Sequence, residues 1–293
     1  MSGYLNHPND GGALVVCLGC EQNTPGYLAQ HHGVVPLMSA DGTRLTRDEG
    51  TPTLTMQSEG GSAATTAKAE AMLEQVLDRA NVATRQGADA SSLMIAVECG
   101  GSDGYSGITA NPALGAVADR IVACGGSAVI SETTELYGAE HLLCSRSRSP
   151  EVAQRLVDRL LWWYEYVAHY GGQLDNNPSV GNKAGGLTTI TEKSLGAVSK
   201  SGSTALEAVY DYAERVTTSG LAVMDSPGFD PASVTGKVAG GANLVLFSTG
   251  RGSCFGCKPT PVIKIASNNE LFHSMRDDMD LNAGQAVDGK AID

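Results

Sequence analysis

The residues best suited to chemistry lie in one stretch, Glu98-Cys99-Gly100-Gly101-Ser102-Asp103-Gly104-Tyr105-Ser106-Gly107-Ile108-Thr109-Ala110-Asn111-Pro112. Carboxylate, thiol and hydroxyl groups alternate there with glycines, and a missing Cβ lets backbone approach a ligand closely. The apolar run 93–97 ahead of it reads as a short buried strand. Asn111 followed by Pro112 predicts an N-cap and first-turn pair, opening a helix with Leu114, Val117, Ala118 and Ile121 at helical spacing. The connection between strand and helix is about a dozen residues long, where two to six is usual. A loop of that length and polarity at a strand's carboxyl end is where an open α/β sheet places its ligand. A tight surface turn is the alternative reading.

The elements that must position this loop follow a repeating pattern. Strands are predicted at 13–16, 51–57, 93–97, 127–131, 221–224, 243–247 and 262–266. Helices are predicted over about 62–80, 112–123 and 151–170, around Glu192 and Lys193, and near 271–279. Such alternation specifies an α/β fold, read as two Rossmann-like α/β lobes with mostly parallel sheets flanked by helices. The lobes are placed at 1–148 and 172–293, joined by a connecting helix over 149–171. Its Trp162, Trp163, Tyr164 and Tyr166 are expected to pack between them. Residues 31–50 read as an exposed loop. At least five strands end in loops rich in Gly, Asp, Glu, Cys, Ser and Lys. Parallel strands would bring those loops to one sheet edge and one site, with Asp103 and Arg251 across a shared cleft.

Composition narrows the function. The chain has 20 basic and 32 acidic residues, a net charge of −12, which disfavours nucleic acid and anionic membranes as partners. No apolar run approaches the ~20 residues needed to span a bilayer, and no signal peptide is visible. Seven cysteines without a secretory signal point to a reducing, cytoplasmic setting, where metal or catalytic roles outrank disulfides.

The cysteine pairs Cys17/Cys20 and Cys254/Cys257 lie too far apart in sequence for a zinc ribbon. Cys124 and Cys144 read as buried or incidental. Gly250 and Gly252 mimic part of a dinucleotide fingerprint, but the segment runs into Pro259 and another strand, which argues against nucleotide binding. A Cys99–His141 nucleophilic pair lacks a third orienting residue. His31, His32, His169 and His273 read as surface histidines.

Four motifs together are similar to the altronate/galactarate dehydratase family: the 98–115 stretch, Tyr137-Gly138-Ala139-Glu140-His141, the run from Gly181-Asn182-Lys183 through Glu192-Lys193-Ser194-Leu195-Gly196, and Thr249-Gly250-Arg251-Gly252-Ser253. They occur in the family's order and span nearly the whole chain. The resemblance implies metal-dependent β-elimination of water from a small-molecule sugar acid, with Fe²⁺ or another divalent ion as cofactor. It implies Lys183, Lys193 or His141 for proton transfer. Ser102, Asp103, Asn111, Thr188 and Thr189 are implied for substrate binding, with Arg251 and Lys264 as carboxylate clamps. The metal ligands would come from Glu98, Asp103, Glu132 and Glu140. Each of these residues could instead form a buried ion pair between loops. Sulfolactate sulfo-lyase large subunits look like close relatives, so loss of sulfite is an alternative, as is a non-catalytic sugar-acid binding module. Cys20, Cys99 and Cys257, each following an apolar strand, could alternatively hold an iron–sulfur cluster. Family members carry more chain before Gly3-Tyr4, including a small β-rich domain in fused forms. The resemblance therefore implies a truncated catalytic lobe, or one that needs that domain or subunit as a partner; a homo-oligomer is also compatible.

Overall fold

The computed structural model describes residues 1–32 and 51–291. Beyond its first two residues, the loop expected at 31–50 lies outside the described residues. The chain forms two compact units, Met1–Gly87 and Ala88–Asp293.

In the first unit, strand β1 (Val15–Cys17) pairs in parallel with β2 (Thr53–Thr55), Val15 opposite Thr53. The predicted long helix runs over Ser62–Ala80. Gly60 and Gly61, at φ 89° and 103°, make the break before it in the left-handed region that favours glycine. Val15, Cys17, Leu28, Leu54 and Val76 are buried here. The strand expected over 51–57 is shorter because Met56–Glu59 turns into a helix.

The second unit is built on one sheet of seven parallel strands. In chain order these are β3 (Met94–Cys99), β4 (Ser127–Ile130), β5 (Leu206–Tyr210), β6 (Gly220–Met224), β7 (Leu244–Thr249), β8 (Val262–Ala266) and β9 (Leu281–Asn282). Their spatial order is β5-β6-β4-β3-β7-β8-β9. The α/β class holds, but the division around the aromatic helix does not. β3 pairs with β4 on one side and β7 on the other, so strands assigned to separate lobes lie side by side. Sequence periodicity says nothing about which strands pair. The central strands are buried on both faces, which explains why they read as continuous apolar runs. β5, β9 and the helix Asp230–Ala239 are additions to the elements expected from the sequence.

The helix Pro150–His169 buries Leu156 and Leu160 against the sheet unit. Trp162, Tyr164 and Tyr166 are instead 47%, 56% and 45% exposed, and the strands expected on the far side of this helix belong to the same sheet as those before it. Trp163 differs: its Nε1 donates to Asp225 Oδ1 at 2.8 Å, just past the end of β6. The helix Ala110–Ala123 starts two residues early, with Thr109 at its N-cap and Asn111 inside the first turn. Among the described residues, no helix is long and apolar enough to cross a membrane.

Candidate active site

Because every strand of the large sheet is parallel, its carboxyl ends share one edge, and a polar centre is buried there. It starts at the last two residues of β3. Successive strand residues point to opposite faces, and Glu98 and Cys99 meet different helices. Glu98 Oε2 accepts from Lys237 Nζ and Ser233 Oγ, both at 2.6 Å, on the helix Asp230–Ala239. Lys237 also donates to the Val97 carbonyl at 2.7 Å and is fully buried. Cys99 Sγ instead faces Lys200 Nζ at 3.0 Å, at the end of the helix Ile190–Ser199.

The end of β4 supplies two more acids. Glu132 takes a left-handed φ of 62°, uncommon outside glycine, and its N–H donates to Ser226 Oγ at 2.9 Å. Its Oε2 lies 3.5 Å from Lys200 Nζ. Glu135 Oε1 accepts from Lys193 Nζ and from Asn177 Nδ2, each at 2.7 Å. Glu98, Glu132 and Asp230 each offer a carboxylate oxygen within 4.8 Å of the others, and so do Cys99, Glu132 and Glu135 through one ligand atom each. Two buried oxygens, Glu98 Oε1 and Glu135 Oε2, have no hydrogen-bond partner among the described residues.

Charge is distributed unevenly over this group. Burial would raise the Glu98 pKa, but the Lys237 and Lys200 ammonium groups and a hydrogen bond with Glu132 together outweigh it and hold the carboxyl below the usual range. Burial and the neighbouring Glu135 and Glu98 push Glu132 well above that range. Asp230 is pushed up to about 6 by burial and by the charges of Glu98 and Glu135. Lys200 loses hydration, yet Cys99, Glu132 and Glu98 hold its pKa well above that of an ordinary lysine. Gly100 makes room for this packing, since a Cβ there would lie 2.1 Å from Asp230 Oδ2 and 2.7 Å from Phe247 Cζ.

The structure brings Glu98, Glu132 and Lys193 of the sequence candidates into this centre, with Cys99 beside them. Asp103 is buried, but its carboxylate is fully engaged: Oδ1 accepts from Ser106 N, Ser106 Oγ and Ser267 Oγ, and Oδ2 from Asn268 Nδ2. Asn111 donates to the Gly196 carbonyl and accepts from Ser248 Oγ, tying the loop to two neighbours. Ser102 is buried with its hydroxyl unpaired among the described residues. Thr188 and Thr189 hydrogen-bond around Glu192 at the start of the helix Ile190–Ser199. Glu140 accepts from the Gly138 N–H at 2.6 Å, while Lys183 and His141 are exposed. Arg251 and Asp103 line one cavity of about 540 Å³, together with Tyr105 and Asn268. Lys264 donates to the Ser253 carbonyl at 2.8 Å and lines a different cavity with Cys257. Cys20 is exposed in the first unit, and Cys99 opens on a third cavity of about 240 Å³, lined also by Ser102, Asn111, Glu192 and Lys193. Glu135, Asn177, Lys200, Asp230 and Lys237 were missed. The acidic run Glu132-Thr133-Thr134-Glu135 was the one visible signal. Lys237 lies on a helix that the sequence reading does not include and Lys200 caps the helix Ile190–Ser199, and neither was singled out in sequence.

Buried acids and ammonium groups at the carboxyl edge of a parallel sheet define an α/β protein with an enzyme-like polar centre. The chain belongs to the D-galactarate/altronate dehydratase family: residues 90–293 match its C-terminal domain and residues 1–81 its second domain. It is 37% identical over 280 residues to an altronate dehydratase of Bacillus subtilis, covering 96% of this chain and 53% of that protein. It is 36% identical over 287 residues to the galactarate dehydratase (L-threo-forming) of Escherichia coli, covering 97% and 53%. A (2R)-sulfolactate sulfo-lyase subunit beta of Chromohalobacter salexigens is 34% identical over 229 residues, covering 76% and 58%. The chain thus spans about half the length of the curated relatives it matches.

Proposed function

We propose that this chain carries the catalytic centre for metal-dependent β-elimination of water from a sugar acid of the altronate or galactarate type. The observation that carries the reading is the Glu98–Glu132–Asp230 set, with Glu98 and Glu132 buried, Asp230 partly buried, and Glu98 Oε1 given no donor among the described residues beyond the neighbouring Glu132 carboxyl. Crowded carboxylates whose charges repel are a fitting place for a divalent cation. Gly100 is the cradle that lets Asp230 reach the set. Three oxygen donors suit a divalent ion bound by carboxylates, with Fe²⁺ proposed on the family resemblance. The Cys99–Glu132–Glu135 set shares Glu132 but offers a thiol in place of a third oxygen, and ammonium groups sit against both sets, Lys200 and Lys193 here and Lys237 and Lys200 at the first. When bound, the ion would polarise the substrate's carboxylate and stabilise the charge that develops on proton loss.

The chain's own groups would move the protons. Elimination breaks a C–H bond next to the carboxylate and a C–O bond on the adjacent carbon. Glu135 Oε2, a buried acceptor without a partner among the described residues, is proposed to take the proton. Burial would lower the Lys193 pKa, but the charges of Glu135 and Cys99 raise it, so Lys193 is an ammonium and serves as a donor. It would protonate the departing hydroxide, releasing water. Arg251, exposed on its cavity and with no ion pair among the described residues, is proposed to hold an acidic end of the substrate by a planar pair of hydrogen bonds.

Anaerobic equilibrium dialysis with Fe²⁺ and Mn²⁺ tests the metal reading, alongside turnover of altronate, galactarate and (2R)-sulfolactate. About one ion per chain is expected, lost at least tenfold in affinity in Glu132→Gln and Asp230→Asn. Unchanged ion binding in both variants would remove this site. Turnover of sulfolactate alone would favour the sulfo-lyase reading, and sugar-acid binding without any bound metal the binding module.

A further inference from the structure

An ammonium group has three hydrogens to donate. Lys193 directs one to Glu135 Oε1 at 2.7 Å and one to Asn177 Oδ1 at 3.0 Å. Asn177 closes the ring, since its Nδ2 donates to the same Glu135 oxygen at 2.7 Å. The amide orientation follows from chemistry: its acceptor must meet the ammonium and its donor the carboxylate. Glu135 Oε1 therefore takes two donors while Oε2 takes none among the described residues. The third Lys193 hydrogen remains for the cavity of about 240 Å³ that the residue lines.

We propose that Asn177 is a positioning residue that clamps Glu135 and Lys193 into one base–acid unit, leaving Glu135 Oε2 and one Lys193 hydrogen for the substrate. This rests on the roles given above to Glu135 and Lys193. The clamp needs an acceptor and a donor on adjacent atoms of one short side chain, which an amide supplies. The backbone around Asn177 is held on both sides. Leu174 is buried before it. After it, Ser179 and Asn182 form a capping box at the helix Val180–Ala184. Asn182 Nδ2 then donates to the Ser102 carbonyl at 2.8 Å, tying this segment to the loop that carries Cys99.

The test uses the metal-loaded full chain with whichever of the three acids it turns over. Asn177→Ala should lower kcat by about 10–100-fold, the loss expected for a misplaced reacting group, with KM changed less than about threefold. Asn177→Asp keeps the acceptor for Lys193 and loses the donor to Glu135. It should lower kcat by about tenfold, and it guards against an alanine variant that fails to fold. In a Lys193→Met background, adding Asn177→Ala should cost clearly less kcat than in the wild type, since only the bond from Asn177 to Glu135 is then left to lose. Wild-type kcat in both Asn177 variants would overturn the proposal. So would a loss that persists in full without Lys193, which marks a merely structural role. Full activity of Lys193→Met would instead refute the proton-transfer reading, and the clamp is then judged by NMR alone. The ammonium signal assigned to Lys193 by its absence in Lys193→Met should exchange with water at least about fivefold faster in Asn177→Ala. Unchanged exchange would overturn the clamp whether or not turnover is detected.

Discussion

Replacing Gly250 with alanine should destabilise the sheet unit sharply without touching the proposed metal site. A Cβ at Gly250 would lie 2.1 Å from Asp103 Cγ and 2.2 Å from its Oδ1, well inside van der Waals contact. Asp103 cannot yield cheaply, because it is 3% exposed and accepts hydrogen bonds from Ser106 N and Oγ at 2.8 Å, Ser267 Oγ at 2.7 Å and Asn268 Nδ2 at 2.9 Å. Relieving the clash requires a displacement of roughly 1 Å, enough to spoil at least two of those bonds. At about 1.5 kcal/mol for each bond to a charged group, the cost is about 3 kcal/mol, within the range known for overpacking. Urea denaturation of wild type and Gly250→Ala, each metal-free, measures it directly. Asp103→Asn is the companion variant. Its amide would set donor against donor at Asn268 or at the three donors to Oδ1, so a loss of about 2 kcal/mol is expected, with divalent-ion affinity unchanged. A Gly250→Ala protein within about 1 kcal/mol of wild type would refute the view of Asp103 as a structural hub. A large drop in ion affinity in Asp103→Asn would return it to the metal ligands.

Two other expectations concern the buried charges. Lys237→Met leaves the Glu98 carboxylate buried without its counter-charge and should cost about 3–5 kcal/mol in urea denaturation; a loss below about 1 kcal/mol would show that Glu98 is neutral or hydrated. Asp230 has its pKa raised from 3.8 to about 6 in the folded chain, so the folded state resists its ionisation. Its favourable contribution is present below about pH 4 and lost as pH rises through about 6. Metal-free Asp230→Asn should therefore exceed wild type in stability by about 1–2 kcal/mol at pH 7 and match it at pH 4, and a pH-independent difference would contradict the assignment.

The local sequence was enough for most of the elements and for the loop on which the site is built, though not for β5, β9 or the helix Asp230–Ala239. Apolar runs at 93–97, 127–131 and 243–247 read as buried strands because a parallel sheet covers both faces of each. The polar loops after them read as a site because solvated turns do not need so many glycines, acids and thiols. Glu98 and Glu132 were legible on that ground, and Lys193 through the family motif. What local sequence could not supply was partnership. Whether β3 lies beside β7 depends on a pairing across about 150 residues, and no periodicity encodes it. Asp103 and Asn111 carry functional residue types, yet their contacts show that hydrogen bonding between loops engages both. Nothing in the local pattern around Lys200 and Lys237 signals burial, and only the packing of their segments over Cys99 and Glu98 hides them. The charge of such a group is decided by what lies within a few ångströms of it, and that distance is a property of the tertiary fold.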